Sequence, residues 1–257
     1  MSINNSNLDT IKSLNYIPVG LNKDKFSKEW LRDNIGDNIS NKNSYYGEYT
    51  FYYWYWKNLL KYKKKNEWVG FCSYREYWGS NKKTSSTKIE DLVLNGYQEE
   101  WNGYNTIIGK PISVGSTKIS KVLKYGKIAL LRNPKAIFSK KGRSIRWQFD
   151  MFHGNGNLDK AIDLLPDSDR DDFRHYVRSE TSFARGNIFI SNSEKIIDEY
   201  FTYIFKWLES CEKIFGFNLQ SYGQIRMYAF IAERFLPFWF KKYTKFLEWP
   251  VIFYDIN

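Results

Sequence analysis

Apolar positions along the chain fall into short runs separated by polar, turn-rich stretches, and the period of each run predicts an element. Tyr16 to Leu21 predicts a strand or a strand end. Asp33-Asn34-Ile35-Gly36-Asp37-Asn38-Ile39-Ser40 is dense in residues that tolerate unusual backbone angles and bond their own backbone, so it predicts a shaped loop. Tyr46 to Leu60 is crowded with rings, which favours a strand. Its length, Ser44 as an N-cap and the Lys-rich tail from Lys61 to Lys65 suit a buried helix equally well. Trp68 to Cys72 predicts a buried strand ending at Ser73-Tyr74-Arg75-Glu76, and Tyr104 to Ile108 another, closed by Gly109 and Pro111.

The last third is more regular. Leu158 to Leu165 and Asp169 to Val177 predict helices, and Ile188-Phe189-Ile190 a short buried strand. Tyr200, Phe201, Ile204, Phe205, Leu208 and Cys211 keep a helical period, as do Ile225, Tyr228, Ile231, Ala232, Phe235 and Trp239, with Pro237 expected to kink the second helix near its end. Alternating strands and helices without an internal repeat predict an α/β fold, and 257 residues suit one domain spanning 1–257.

Charge changes this picture at one place. Between Trp101 and Phe149 there is no Asp or Glu, while eight Lys and three Arg lie there, which equals the whole net charge of +11. The basicity thus belongs to one segment, 110–146. Lys118, Lys121, Lys124 and Lys127 alternate there with apolar residues, as in a basic amphipathic helix inserted into the fold. Such a segment suits anionic lipid, phosphorylated substrates or nucleic acid. Cys72 and Cys211, the two cysteines, are far apart and have no metal-ligand spacing, which argues against a disulfide framework or a zinc site and fits a reducing, cytoplasmic setting. Met1 to Asp9 does not read as a secretory leader, and no apolar run is long enough to span a membrane.

The chain contains no Gly-rich phosphate loop, HExxH pair or Gly-x-Ser-x-Gly elbow. Asp167-Ser168-Asp169 has the DxD spelling of many metal-dependent glycosyltransferases, but its polar surroundings read as a solvated helix start. Asp150 and His153, three residues apart, would share a helical face as a general base with its orienting partner, against a structural histidine as the alternative. Arg75 ends a predicted strand with a fork of donors suited to a diphosphate, unless it pairs with Glu76 or Glu48. Glu233 and Arg234, in an apolar helix, form either a buried pair or a substrate-facing one.

Several segments together resemble a family of bacterial capsular-polysaccharide glycosyltransferases, known through the domain DUF4422. The landmarks are the Asp33–Ser40 loop with Lys42-Asn43, Tyr46, Glu48, Tyr53-Trp54, Trp56-Lys57-Asn58 and Val69-Gly70-Phe71-Cys72 leading into Tyr74-Arg75. They continue with Phe149 to Gly154, Asn187-Ile188-Phe189-Ile190, Trp207-Leu208, Cys211-Glu212, Tyr222-Gly223, Arg226 and Ala232-Glu233-Arg234-Phe235. The resemblance implies a GT-A-like (Rossmann-like) mixed sheet flanked by helices, a nucleotide-sugar donor and a capsule or lipopolysaccharide acceptor. It places Asp37, Asn38, Asn43, Tyr74, Arg75, Asn187, Arg226 and Arg234 at the donor, with Asp150, His153 or Glu233 as base. Ser73, Tyr74 and Arg75 fall where other GT-A enzymes carry DxD, so Arg in place of a divalent ion implies metal-independent transfer without a cofactor.

The sequence departs from the family at three points. It has Ser73-Tyr74-Arg75-Glu76 where His-Tyr-Arg-Arg is usual, and Ala184-Arg185-Gly186 where Asn-Pro-His often precedes the Asn187 strand. It also lacks a leading strand ending in Thr-His-Lys. On this reading segment 110–146 holds the enzyme at the anionic inner face of a membrane. A catalytically inactive relative and a nucleic-acid-binding protein are the alternatives; the latter ranks behind because the rings lie in core-like periodic runs.

Overall fold

The structure is a computed structural model that describes residues 8–21, 26–73, 75–81, 85–116 and 143–255. Tyr74 and most of the basic segment, including its expected helix, lie outside the described residues. Among the described residues ten strands follow one another: β1 (Val19–Gly20), β2 (Leu31–Arg32), β3 (Val69–Gly70), β4 (Glu76–Trp78), β5 (Thr106–Gly109), β6 (Ile112–Ser113), β7 (Ser182–Phe183), β8 (Phe189–Ser191), β9 (Phe246–Trp249) and β10 (Val251–Phe253). The chain divides into two compact units. The first comprises 1–110, 186–202 and 240–257; the second comprises 111–185 and 203–239.

The first unit is built on a four-stranded mixed sheet of order β3-β8-β5-β9. β8 runs antiparallel to both β3 and β5, while β5 and β9 are parallel, with Ile107 opposite Ile190 on one side and Leu247 on the other. Side chains alternate across a strand, so this sheet has two apolar faces. Ile107, Ile190 and Ile188 join Trp78, Leu94, Trp101 and Trp249 in one cluster. Phe71 and Phe189 instead pack with Tyr52, and Phe189 also meets Tyr200 and Phe240. A parallel ribbon of β1 and β2 and an antiparallel pair of β4 and β10 complete the unit.

The ring-rich segment is a helix, Tyr49–Asn58, because its residues fill this second face from one side: Tyr49, Tyr52, Phe51 and Trp54 are buried. Its N-cap is Glu48; Ser44, the expected cap, lies inside a separate short helix, Asn43–Tyr46. The Tyr49 and Tyr200 hydroxyls meet at 2.6 Å, so two fully buried phenols satisfy each other.

The second unit is mainly helical, with the helices Ile145–His153, Asn157–Ile162 and Asp167–Ser179 and the ribbon of β6 with β7. Phe173, fully buried, packs against Trp207, Phe235 and Phe238. Asp167-Ser168-Asp169 is the helix start its surroundings predict. Pro166 caps the helix, Asp167 pairs with Arg170, and the buried Asp169 accepts a 2.6 Å bond from the Tyr203 hydroxyl. The helix Met227–Tyr243 continues through Pro237 to its end. Among the described residues no helix is long and apolar enough to cross a membrane.

Candidate active site

Within the first unit, the chain from Asp33 to Thr50 is held by its own side chains. Gly36 takes a left-handed conformation (φ +73), and a Cβ there would lie 2.4 Å from Asn58 Oδ1. Asn58 in turn accepts from the Asp37 amide and donates to the Asp37 carbonyl at 2.7 Å. Asn38 donates to the Gly36 carbonyl at 2.8 Å and accepts from Ser40, while Asn43 donates to the Gly47 carbonyl and the Thr50 hydroxyl, both at 3.0 Å. These two expected donor-binding amides therefore spend hydrogen bonds on shaping the loop, whereas Asp37 is exposed. Beneath the loop, fully buried Asp33 accepts from Thr50 at 2.6 Å, and burial raises its carboxyl above the usual range.

This loop leads to Glu48, whose Oε1 accepts from Asn187 Nδ2 at 2.6 Å. Asn187 sits at the start of β8 in a left-handed conformation (φ +54), and its carbonyl accepts from the buried Tyr52 hydroxyl at 2.5 Å. Burial first, then the Glu48 carboxylate, holds that hydroxyl well above its ordinary pKa, and Glu76 pushes the same way. Glu76 opens β4 and accepts from the Ser73 hydroxyl at 3.4 Å. Its Oε2 lies so near Gly186 (φ +94) that a Cβ there would sit 2.2 Å away. The guanidinium of Arg75 lies 5.5 Å from the centroid of the exposed Phe253 ring. Asn187, Glu48, Glu76 and Ser73 thus gather where β3 ends and β8 begins. Open α/β sheets place ligands at the carboxyl ends of strands, and this is such an end.

In the second unit, the expected Asp150–His153 pair is not formed. His153 Nδ1 is bonded to the Gly223 carbonyl at 3.0 Å, and the ring stacks on Phe230 with centroids 4.0 Å apart. Asp150 turns the other way, accepting from the Gly156 amide at 3.0 Å and facing Arg146 at 3.7 Å. A shared helical face brought the two residues near each other, but the neighbouring Gly154–Gly156 turn took the carboxylate. Burial, and then the Arg234 charge, hold the imidazole well below its ordinary pKa, so it is neutral. Glu233 and Arg234 pair with each other, with Arg234 buried and Glu233 partly exposed. Arg234 is 4% exposed, bonds Glu233 and Gln148, and lies over the rings of Phe149, Phe183 and Phe230. Arg226 is half-buried between the short helix Tyr222–Ile225 and the helix Met227–Tyr243.

The site residues therefore form two groups, one in each unit: Asp37, Asn38, Asn43, Arg75 and Asn187 in the first, and Asp150, His153, Arg226, Glu233 and Arg234 in the second. Sequence reasoning used Glu76 and Glu48 only as possible partners for Arg75, and Glu48 also as a landmark. A charged residue just beyond the predicted strand's end was the available signal. Among the described residues no three His, Cys, Asp or Glu side chains converge on a metal position.

The model of the family described as a domain of unknown function, DUF4422, matches residues 4–245. The chain belongs to the DUF4422 family. No curated protein matches it. Among solved structures the family member resembles the apo structure of WbbM, a bifunctional glycosyltransferase, with a TM-score of 0.65 and 21% sequence identity. The match covers 87% of this chain and 39% of WbbM, so the chain spans about two fifths of that protein's length. The fold is GT-A-like, a mixed sheet with flanking helices.

Two outcomes follow from these contacts. Gly186→Ala would strain a left-handed residue and press a methyl onto Glu76, lowering stability by about 1–3 kcal/mol. The double variant Gly186→Ala with Glu76→Ala should regain the steric part in denaturant unfolding, and no recovery would break the proposed contact. His153 has a folded pKa below its unfolded value of about 6.5. As pH falls through that value the unfolded chain takes up a proton that the folded chain does not, so stability drops. His153→Asn should remove up to about 1.4 kcal/mol per pH unit of that slope, measured by urea unfolding between pH 7 and pH 5; an unchanged slope would refute it.

Proposed function

We propose that this chain is a glycosyltransferase unit that moves a sugar from a nucleotide-sugar donor to a growing cell-surface polysaccharide, capsule or lipopolysaccharide. One observation carries the reading: the fold likeness to a bifunctional glycosyltransferase over 87% of the chain. The polar cluster at the end of β3 adds chemistry suited to the same reaction.

In this reading the first unit holds the donor. Arg75, next to Tyr74 in the sequence, offsets charge on the departing nucleoside diphosphate in place of a divalent ion, since either stabilises a developing anion. The Asp37–Asn43 loop, rigid through its internal bonds, presents Asp37 and backbone groups to the nucleotide, and Asn187 orients the sugar-diphosphate end. Arg226 and Arg234 belong to the second unit, where Arg234, enclosed by rings and Gln148, acts by holding its neighbours in place.

An inverting transfer also needs a base for the acceptor hydroxyl. Of the three expected bases, the carboxylates Asp150 and Glu233 suit this role better than His153, whose Nδ1 is committed to the Gly223 carbonyl. Glu48 and Glu76 join them as carboxylates beside Asn187. Segment 110–146 keeps the enzyme at an anionic membrane surface, where a lipid-linked acceptor resides.

Thermal unfolding against UDP, GDP, CMP and dTDP sugars tests the donor. A ligand at a hundred times its Kd adds about 2.7 kcal/mol to stability, so one nucleotide class should raise Tm equally with and without manganese. Asn187→Ala should cut that shift by at least half. No shift with any nucleotide, joined to steeply salt-dependent binding of single-stranded DNA, would replace this reading with the nucleic-acid one. Removing residues 117–142 should abolish sedimentation with phosphatidylserine liposomes; undiminished sedimentation would rule out the membrane role.

A further inference from the structure

The first unit contains an apolar groove of about 480 Å³ that the proposed chemistry does not use. Its lining includes six consecutive residues, Glu67 to Cys72, so the groove runs past β3 and the residues that flank it. The lining also includes Val19 of β1 and Leu31 of β2. The groove therefore lies between the two-stranded ribbon and the exposed edge of the four-stranded sheet.

Backbone pairing shows what that edge offers. The Phe71 amide donates to the Phe189 carbonyl at 2.9 Å, with Gly70 opposite Ile190 one residue earlier. Hydrogen-bonded and non-bonded pairs alternate in an antiparallel ladder, so the Gly70 N–H and C=O point away from β8, towards the groove. Among the described residues β3 is an edge strand with no strand on that side, and Gly70 is exposed. A second polar group waits at the same place. Trp101 lines the groove at 2% exposure, and its indole N–H has no acceptor among the described residues. An unpaired buried donor is costly, and a backbone carbonyl entering the groove would satisfy it.

We infer that this groove accepts an extended polypeptide strand from a partner, which adds to β3 by backbone hydrogen bonds. Edge strands recruit partners in this way, the ladder giving affinity and alternate side chains giving selectivity. The floor is apolar and aromatic, with Phe51, Tyr55, Trp68 and Ile190, so the inserted strand carries β-branched or aliphatic residues at every second position. The inference stands whether or not the chain transfers sugars.

Capped six-residue peptides that alternate Val or Ile with Thr or Lys, in a panel of both sequence directions, serve as the probe. At saturation with a binding member, amide exchange at Gly70 should slow at least tenfold, while Phe71, already bonded to β8, changes little. The same peptide N-methylated at alternate residues should lose the protection, and Trp101→Phe should weaken binding about fivefold. If no member protects Gly70 at millimolar concentration, or the N-methylated peptide binds equally well, the inference fails. Displacement of a bound peptide by uridine or adenosine would likewise overturn it and make the groove a ring-binding pocket.

Discussion

Burial of one layer of rings against the β3-β8 face positions the polar atoms of the first unit. Tyr52 sits in that layer, touching Phe71, Phe189 and Phe201, and is fully buried. Its hydroxyl has to find a partner once water is excluded, and it finds the Asn187 carbonyl. Fixing that carbonyl fixes the left-handed turn at Gly186-Asn187, which in turn presents the Asn187 amide to Glu48 and leaves room for Glu76. The polar cluster is thus a consequence of apolar packing one layer below it.

The second unit solves a related problem with a buried cation. Desolvation lowers the pKa of Arg234, opposed by Glu233, and the guanidinium is met by Gln148, by Glu233 and by three aromatic faces. Rings and an amide share its charge without bringing it back into water. The same guanidinium contributes to keeping His153 neutral. Breaking such a set by removing one partner is costly because the rest remain buried.

The likeness to WbbM at 21% identity is intelligible on these grounds. A fold of this kind needs rings and aliphatics at positions alternating across short strands and at helical spacing, with few residues strictly required. Loops are freer to differ than the packed elements that they join.

Local pattern alone determined much of the architecture. The strands at β5 and β8 and the long helices Glu194–Phe215 and Met227–Tyr243 were legible because hydrophobic period is a local property. The Asp33–Ser40 loop was legible because its Asn, Asp and Gly side chains bond their own backbone. Period could not decide whether Tyr49–Asn58 was strand or helix, since its rings are apolar nearly all round; packing against Phe71 and Phe189 decided it. Nor could spacing show that Asp150 would turn to Gly156 and His153 to Gly223, or that Glu48, Glu76 and Asn187, far apart in the chain, would converge. Those outcomes depend on which buried polar groups reach each other after collapse. That competition among distant partners is settled only in the tertiary structure, where each unpaired group carries its full desolvation penalty.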